Sequence, residues 1–230
     1  LEESLRRVGR IVPTVEASFG CVVGPTGEDA QFVDDHGEYI PPDVMLACLI
    51  EKMKPNKAVL PVNLSSGYRD LVEAAGGTLE ESRAGVGNVA IKSATSAADL
   101  GASGDGLYIF PDFLPAPDCF MVLARALNLF RDSPLSEARE RFGDSFGGVV
   151  HEELECPWAV KGRVMRGLAE RFGGDPDAIL TDGVKLNVDG GWVLMLPDPD
   201  NPLFYVYAEG GDSEILMREY VDLVRSLIKE

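Results

Sequence analysis

Short apolar runs, each bounded by Gly, Pro or Asp, occupy the first part of the chain and predict β-strands. Residues 21–23 and 31–33 are two such runs on either side of a Gly-Pro-Thr-Gly loop, and this pattern predicts a β-hairpin. The preceding segment, LEESLRRVGR, is charged and predicts a helix. Because tight loops between strands often hold a metal or a phosphate, residues 24–29 are the first candidate site.

After residue 40 the apolar residues first follow helical spacing and then alternate between short strands and a second helix, which predicts a strand–helix–strand unit. Residues 43–53 predict a helix with its apolar side chains on one face. A buried strand at 58–62 and a turn at Ser65 and Ser66 then lead into a second helix and a strand at 78–83. This order predicts parallel strands in a helix-covered sheet. The turn could hold an anion, but helix capping by a serine is the commoner use of that position.

Glycines and polar residues punctuate the next part of the chain. A Gly-Val-Gly turn precedes Asn88, which we predict to cap a short helix. Residues 101–106 predict a glycine-rich loop, either a simple turn or a ligand cradle, before a strand at 107–110. Residues 119–130 predict a strongly apolar, largely buried helix. The polar stretch 132–148 predicts the internal boundary.

The remaining residues predict a second, smaller domain. Several short strands and two helices alternate there, which is the pattern of an α+β domain. An Asp189-Gly190-Gly191 turn predicts a hairpin between two of the strands. The predicted fold class is α/β: a helix-covered mixed β-sheet domain followed by a smaller α+β domain. The predicted elements of the second domain are a strand that begins at 149, strands at 184–188, 192–195 and 204–208, helices at 158–172 and 213–228, and a loop at 196–202.

Charge and composition exclude several classes of function. The formal net charge of the 230 residues is -17, which disfavours nucleic-acid and anionic-membrane partners because both require a clustered basic face. The four cysteines form no Cys-x-x-Cys pair, so reduced, buried thiols are predicted rather than a zinc or redox site. No apolar run is long enough to span a membrane and no signal peptide is apparent, so a cytoplasmic protein is predicted.

Several distributed segments together resemble the α-D-phosphohexomutases, the phosphomannomutase/phosphoglucomutase family, and especially its archaeal members. The segments are VDDHGEYIPPDVMLACL, AVLPVNLSSGYRDLVEAAGGTLEESRAGVGNVAI, LYIFPDFLPAPDCF, ECP, TDGVKL, GWVLMLP and YVYAE. The resemblance implies that residues 1–38 are the end of the family's second domain, 39–150 its third and 151–230 its fourth. The family's phosphoserine domain has no counterpart here, so no catalytic residue is assigned.

The metal loop of the family departs from its usual sequence in this chain. Where the family has Asp-Gly-Asp-x-Asp-Arg, this chain has GPTGED at residues 24–29. The carboxylates are lost at Gly24 and Thr26, Asp29 replaces the arginine, and Glu28 remains as a vestigial metal ligand. No cofactor is expected, or Mg²⁺ only if this loop still binds it.

The sugar and phosphate loops depart from the family as well. Ser103 and Asp105 are the substrate-binding candidates in a stretch where the family has Gly-Glu-x-Ser/Asn-Gly. The family's phosphate loop, Arg-Pro-Ser-Gly-Thr-Glu-Pro, is matched by LPDPDNP, so Asp198 and Asp200 replace hydroxyl groups and the guanidinium is lost. We expect the two carboxylates to face a phosphate and repel it, which makes phosphosugar binding doubtful.

These departures lead to two main hypotheses. The first is a non-catalytic relative of the phosphohexomutases, a structural, regulatory or binding protein with a protein partner or a homo-oligomeric state. The second is a part of a phosphohexomutase that a further segment or subunit completes for phosphosugar isomerisation. A hydrolase is a third possibility, but His36 and His151 have no Ser or Cys partner suggested by the sequence.

Overall fold

Helices and strands alternate along most of the chain and form two compact units, Leu1–Gly147 and Gly148–Glu230. The computed structural model describes residues 1–143, 145–146, 148–176, 178–188 and 190–229. The elements of the first unit are α1 Glu2–Thr14, β1 Gly20–Val23, β2 Ala30–Val33, β3 Tyr39–Ile40, α2 Pro42–Met53, β4 Lys57–Pro61, α3 Gly67–Ala74, β5 Thr78–Ser82, α4 Val86–Thr95, β6 Leu100–Ala102, β7 Tyr108–Phe110, β8 Leu114–Pro117, α5 Cys119–Leu129 and α6 Leu135–Phe142. Those of the second are β9 Val149–Glu155, α7 Trp158–Phe172, β10 Ala178–Ile179, β11 Val184–Val188, β12 Gly191–Pro197, β13 Leu203–Gly210 and α8 Ser213–Lys229.

The predicted N-terminal hairpin is present as strands β1 and β2 of a small antiparallel sheet that β3 extends. Helix α1 packs closely on β1: a Cβ atom added at Gly20 would lie 2.4 Å from Val8 Cγ1. A side chain at this position would therefore push the helix away from the strand.

A mixed sheet in the order β5-β4-β6-β7-β8 forms the centre of the first unit. Strands β5 and β6 both run parallel to β4, whereas β7 and β8 pair antiparallel. Parallel pairing follows from the strand–helix–strand order, because each helix returns the chain to the same end of the sheet. The predicted helix-covered mixed sheet is confirmed.

Helix α2 is buried all round, not on one face as predicted. Each residue from 44 to 50 is at most 1% exposed, and the helix contacts β2, α3, α5 and α6. The one-face prediction was wrong because the sequence does not show how many neighbouring elements surround this helix. It lies within the core that includes Phe32, Tyr68 and Tyr108.

Helix α5 differs from its prediction in the opposite direction. Cys119, Val122 and Ala126 are buried, but Phe120 is 67% and Leu127 61% exposed. The apolar sequence alone therefore overstated its burial.

Three further local differences have simple causes. Helix α4 begins at Val86 rather than after Asn88, because Gly85 adopts φ 91° and ends the preceding loop. The Asn88 side chain donates to the carbonyl oxygen of Ala84 instead of capping the helix. Within the polar stretch expected to be a boundary, Leu135–Phe142 forms helix α6, whose Leu135 and Ala138 pack into the core.

The second unit has the predicted α+β architecture. Its antiparallel sheet has the order β10-β11-β12-β13-β9, and α7 and α8 pack on it and on each other. Phe204, Val206 and Ala208 alternate with more exposed residues along β13, which buries one face of that strand. Strands β11 and β12 form the predicted hairpin, although Asp189 of its turn lies outside the described residues.

Among the described helices, none combines the length and apolar character needed to cross a lipid bilayer.

Candidate functional site

The loop between β1 and β2 and the loop between β6 and β7 lie side by side in the first unit. The backbone N–H of Ala30 donates to the carbonyl oxygen of Gly106 at 3.2 Å, and Asp29 and Leu107 form an antiparallel bridge. The Gln31 side chain donates to the carbonyl oxygen of Asp105 at 3.2 Å. The tertiary structure thus brings together the two loops that resemble the family's metal and sugar loops.

Helix α5 contacts the loop 24–29 through its first residue, Cys119. The backbone N–H of Cys119 donates to the carbonyl oxygen of Gly27 at 3.1 Å. The Asp118 carboxylate caps the helix by accepting from the backbone N–H of Met121 at 2.8 Å. The loop 24–29 is therefore held both by the sheet and by the start of a helix.

The three predicted site residues of this unit have different surroundings. Glu28 and Asp105 are exposed, whereas Ser103 is half-buried. The Ser103 hydroxyl donates to the carboxylate of Asp105. A hydroxyl and a carboxylate held together in this way could accept hydrogen bonds from sugar hydroxyl groups. Gly101, which we placed in this loop, belongs to strand β6 instead.

Burial and neighbouring acidic groups raise the pKa values of two cysteine thiols at this site. Burial, the Cys119 thiol and the Asp29 carboxylate together raise the pKa of Cys21 to about 12. Burial and the carboxylates of Asp118 and Asp29 also raise the pKa of Cys119. Both thiols are therefore protonated near neutral pH and are poor nucleophiles.

The Asp29 carboxylate lies directly over Gly24. A Cβ atom added at Gly24 would lie 1.7 Å from Asp29 Oδ1. Any side chain at position 24 requires the Asp29 side chain to move. The side chains at positions 24 and 29 are thus sterically coupled.

In the loop 196–202 of the second unit, the carboxylates of Asp198 and Asp200 were both predicted to face a ligand, and the structure differs for Asp198. Leu196 and Pro197 continue strand β12, and Asp198 is only 8% exposed. The Asp198 carboxylate accepts from the backbone N–H groups of Asp200 and Asn201 at 2.7 and 2.6 Å and from the Tyr205 hydroxyl at 2.9 Å. The prediction was wrong for Asp198. An aspartate at the start of a turn readily accepts a hydrogen bond from the backbone N–H group two residues later in the chain.

A buried lysine that our sequence analysis did not identify supports the same loop. Lys161 is 8% exposed, and its ammonium group donates to the carbonyl oxygens of Asp198, at 2.5 Å, and Asn201. It also lies 3.8 Å from the centre of the Trp158 ring. The sequence did contain a signal for its burial, because Lys161 has helical spacing with Val164 and Leu168 on the apolar face of α7.

Each of the two histidines contacts a residue of its own unit. His36 Nε2 is 3.5 Å from Asp35 Oδ2, and the His151 ring stacks on Tyr207 with centroids 5.4 Å apart. These contacts assign neither histidine a catalytic partner of the Ser or Cys type.

The contact between the first two loops can be tested at Gly106. Its φ is +96° and an added Cβ atom would lie 2.5 Å from Gln31 Nε2 and 3.1 Å from the carbonyl oxygen of Ala30. We expect Gly106→Ala to lower the free energy of unfolding by roughly 2–4 kcal/mol, through backbone strain and overpacking together.

Gly76→Ala is the matched control for backbone strain, because Gly76 has φ +90° and no atom within 4 Å of an added Cβ. Chemical denaturation followed by circular dichroism would compare the two variants. An equal loss in both would show that the close approach of Gly106 to Gln31 and Ala30 adds nothing to the cost of backbone strain.

Comparisons with known proteins agree with this architecture. Residues 41–145 match the family described as phosphoglucomutase/phosphomannomutase, alpha/beta/alpha domain III. A Methanopyrus kandleri protein named "Probable phosphoglucosamine mutase" is 29% identical over 238 residues, which cover 99% of this chain and 52% of the relative. The phosphoglucomutase/phosphomannomutase of Thermococcus kodakarensis is 26% identical over 235 residues, covering 100% of this chain and 51% of the relative.

Solved structures share the fold. A phosphoglucomutase/phosphomannomutase family protein from Burkholderia thailandensis superposes with a TM-score of 0.73 at 20% identity, covering 99% of this chain and 50% of that protein. The chain spans about half the length of the relatives it matches. Residues 41–145 thus match a phosphoglucomutase/phosphomannomutase domain III, and the predicted resemblance of the chain to the phosphohexomutase family is confirmed.

Proposed function

We propose that this chain is part of a phosphohexomutase and contributes to the isomerisation of hexose phosphates together with a further segment or subunit. The observation that carries the proposal is the direct backbone contact between the loop 24–29 and the loop around Gly106. It is supported by mutase relatives that match nearly the whole chain but are about twice as long. Within this proposal, the nucleophile belongs to the further segment or subunit.

Within this proposal, Ser103 and Asp105 bind sugar hydroxyl groups. They are already joined by a hydrogen bond, and the exposed Asp105 carboxylate leaves its remaining lone pairs available. Glu28 is the residue of this chain that would face a magnesium ion.

The residues present do not make a complete magnesium site. Within residues 1–143, 145–146, 148–176, 178–188 and 190–229, no three His, Cys, Asp or Glu side chains are grouped so that they could hold a metal ion. Magnesium is usually held by one or two carboxylates together with substrate phosphate and water, so Glu28 would hold the ion together with phosphate oxygens or with ligands from the further segment. No step of the proposed reaction is therefore derived through a metal.

Complementation tests the proposal. The chain would be assayed for conversion of glucose, mannose and glucosamine 1-phosphates to the 6-phosphates, alone and co-expressed with the unmatched half of the Methanopyrus kandleri relative. We expect a rate above that of either component, reduced by at least about tenfold in Ser103→Ala through loss of a hydrogen bond to the sugar. No gain over the separate components, with a stable complex formed, would contradict the proposal.

A non-catalytic role is the second candidate, and the inward-facing Asp198 favours it. A loop already occupied by its own carboxylate offers no evident site for a phosphate dianion. Such a protein would act through a protein partner or as a homo-oligomer in the cytoplasm, and the exposed Phe113 and Leu114 are candidate contacts. Isothermal titration of the isolated chain with the same sugar phosphates separates the two roles, because micromolar binding would exclude the non-catalytic one.

A further inference from the structure

The loop between β6 and β7, which carries Ser103 and Asp105, has little conformational restriction of its own. Gly104 and Gly106 adopt φ angles of +86° and +96°, and glycine restricts the backbone less than any other residue. The Ser103 backbone N–H closes the loop by donating to the carbonyl oxygen of Leu107 at 3.2 Å. The geometry of the Ser103–Asp105 pair therefore depends on contacts that other elements make with this loop.

Gln31 of strand β2 supplies such a contact through its side chain. Gln31 is 6% exposed, and its Nε2 donates to the carbonyl oxygen of Asp105 at 3.2 Å. Its Oε1 accepts from the Tyr39 hydroxyl at 2.8 Å. Burying an amide is costly unless both its donor and its acceptor are paired, and both are paired in Gln31. The side chain thus joins strands β2 and β3 to the loop.

The two partners of Gln31 also fix the orientation of its amide. A backbone carbonyl oxygen can only accept a hydrogen bond, so the NH2 group of Gln31 faces Asp105 and Oε1 faces Tyr39. Tyr39 must therefore donate its hydroxyl hydrogen. Burial and the Asp43 carboxylate raise the pKa of Tyr39, so the hydroxyl keeps this hydrogen near neutral pH. Tyr39 orients the amide, and the amide holds the loop.

Strand β2 holds two successive residues of the loop in two different ways. The backbone N–H of Ala30 donates to the carbonyl oxygen of Gly106, and the Gln31 side chain donates to that of Asp105. The first bond comes from the backbone and needs no particular side chain at position 30. The second bond exists only because position 31 carries an amide, which makes it a contribution of this sequence.

We propose that Gln31, oriented by Tyr39, is a positioning residue that fixes the Asp105 backbone and thereby keeps the Asp105 carboxylate paired with the Ser103 hydroxyl. Gln31 acts through Asp105. The inference rests on the proposed function only in the use of the Ser103–Asp105 pair for sugar hydroxyl groups, because the positioning itself is a property of the free chain. Without the amide, the Asp105 carbonyl group loses its donor and the loop opens more often.

Amide hydrogen exchange of the 230-residue chain, followed by NMR, tests the inference. The Ser103 and Ala30 amides report on the loop, because both donate to its carbonyl groups or to that of Leu107 beside it. Their exchange rates would be divided by those of the β4 amides in the same sample, which gives the exchange ratio. Gln31→Leu removes both side-chain hydrogen bonds at nearly constant volume.

Tyr68→Phe is the matched control for Gln31→Leu. The Tyr68 side chain is buried, and its hydroxyl donates to a backbone carbonyl oxygen in another element, that of Asp43 in α2, at 3.0 Å. We expect Gln31→Leu to raise the exchange ratio at least about tenfold, since a buried hydrogen bond to the loop is lost. Tyr68→Phe should leave the ratio unchanged. An unchanged ratio in Gln31→Leu as well would overturn the inference.

Gln31→Glu separates hydrogen-bond donation from packing, because it keeps the shape of the side chain. Its carboxyl group can donate to the Asp105 carbonyl oxygen only when it is protonated. Burial and the nearby Asp105 carboxylate should raise the pKa of this introduced group above its usual ~4.3. We expect the exchange ratio to match wild type below that pKa and Gln31→Leu above it. A ratio that does not change with pH relative to wild type would contradict the role of the amide.

Tyr39→Phe is the milder variant if Gln31→Leu does not fold, because Tyr39 is 41% exposed. It leaves the Gln31 amide without its orienting donor, so the exchange ratio should still rise, by a smaller factor, and no rise would overturn the inference. No substrate is added in any of these measurements. A ratio that depends on Gln31, together with no isomerisation in the complementation assay, would leave this inference standing and remove the proposed function.

Discussion

Asp34→Ala should lower the free energy of unfolding by roughly 3–5 kcal/mol, because it removes the buried partner of an ion pair and of two backbone groups. Asp34 is fully buried and accepts from Arg139 Nε at 2.8 Å. It also accepts from the backbone N–H groups of His36 and Glu38, at 3.0 and 2.8 Å. The hydrogen bond to Asp34 raises the pKa of Arg139. An arginine stays charged near neutral pH without such a partner, so Asp34→Ala leaves the guanidinium uncompensated.

Asp112→Ala is the matched control for this variant. The Arg125–Asp112 pair is as short, at 2.7 Å, but its aspartate side chain is 61% exposed. We expect a loss of about 0–1 kcal/mol there, because water replaces the exposed partner. Both tryptophans lie in the second unit, so denaturation should be followed by circular dichroism and by amide exchange in β2 and α6. A similar small loss in both variants would show that burial does not strengthen the Asp34 pair.

Lys161→Met should destabilise the second unit by roughly 2–4 kcal/mol, because two loop carbonyl groups lose a charged donor. Methionine keeps most of the apolar stem, so the loss reports the ammonium group rather than a cavity. The contact with the Trp158 ring, at 3.8 Å, is lost at the same time. Urea denaturation followed by tryptophan fluorescence measures the effect directly, since Trp158 and Trp192 both report on this unit.

Arg163→Met in the same helix is the control for Lys161. Arg163 also donates to two backbone carbonyl groups, those of Leu227 and Ile228, but these contacts are exposed. Its replacement should cost no more than about 1 kcal/mol, because water can satisfy the freed carbonyl groups. Equal costs for the two variants would contradict the assigned role of Lys161.

Much of the fold could be predicted from the sequence where the relevant interactions are local. Helix α7 lies at the predicted residues 158–172, because its apolar spacing and a preceding proline define both the face and the start. Strand β11 lies at the predicted 184–188 for the same kind of reason. Burial was predicted less well: the apolar residues of α2 are enclosed on all sides, whereas Phe120 and Leu127 of α5 are exposed.

The candidate site was only partly predictable. The sequence identified the loops 24–29 and 101–106 and their departures from the family, but not that they contact each other. It also gave Asp198 the wrong orientation and did not identify Lys161. The assignments of Glu28, Ser103 and Asp105 as ligands remain predictions.

The sequence by itself determined most of the strands and helices and the fold class, because periodicity and turn residues act over a few neighbouring positions. It also carried the resemblance to the phosphohexomutases, through segments distributed along the chain. Only the tertiary structure decided which loops meet, which acidic side chain faces inward and which lysine is buried beneath it. These contacts join residues far apart in the chain: Lys161 with Asp198, and Asp34 with Arg139. Their geometry depends on how whole elements pack, which no local pattern specifies.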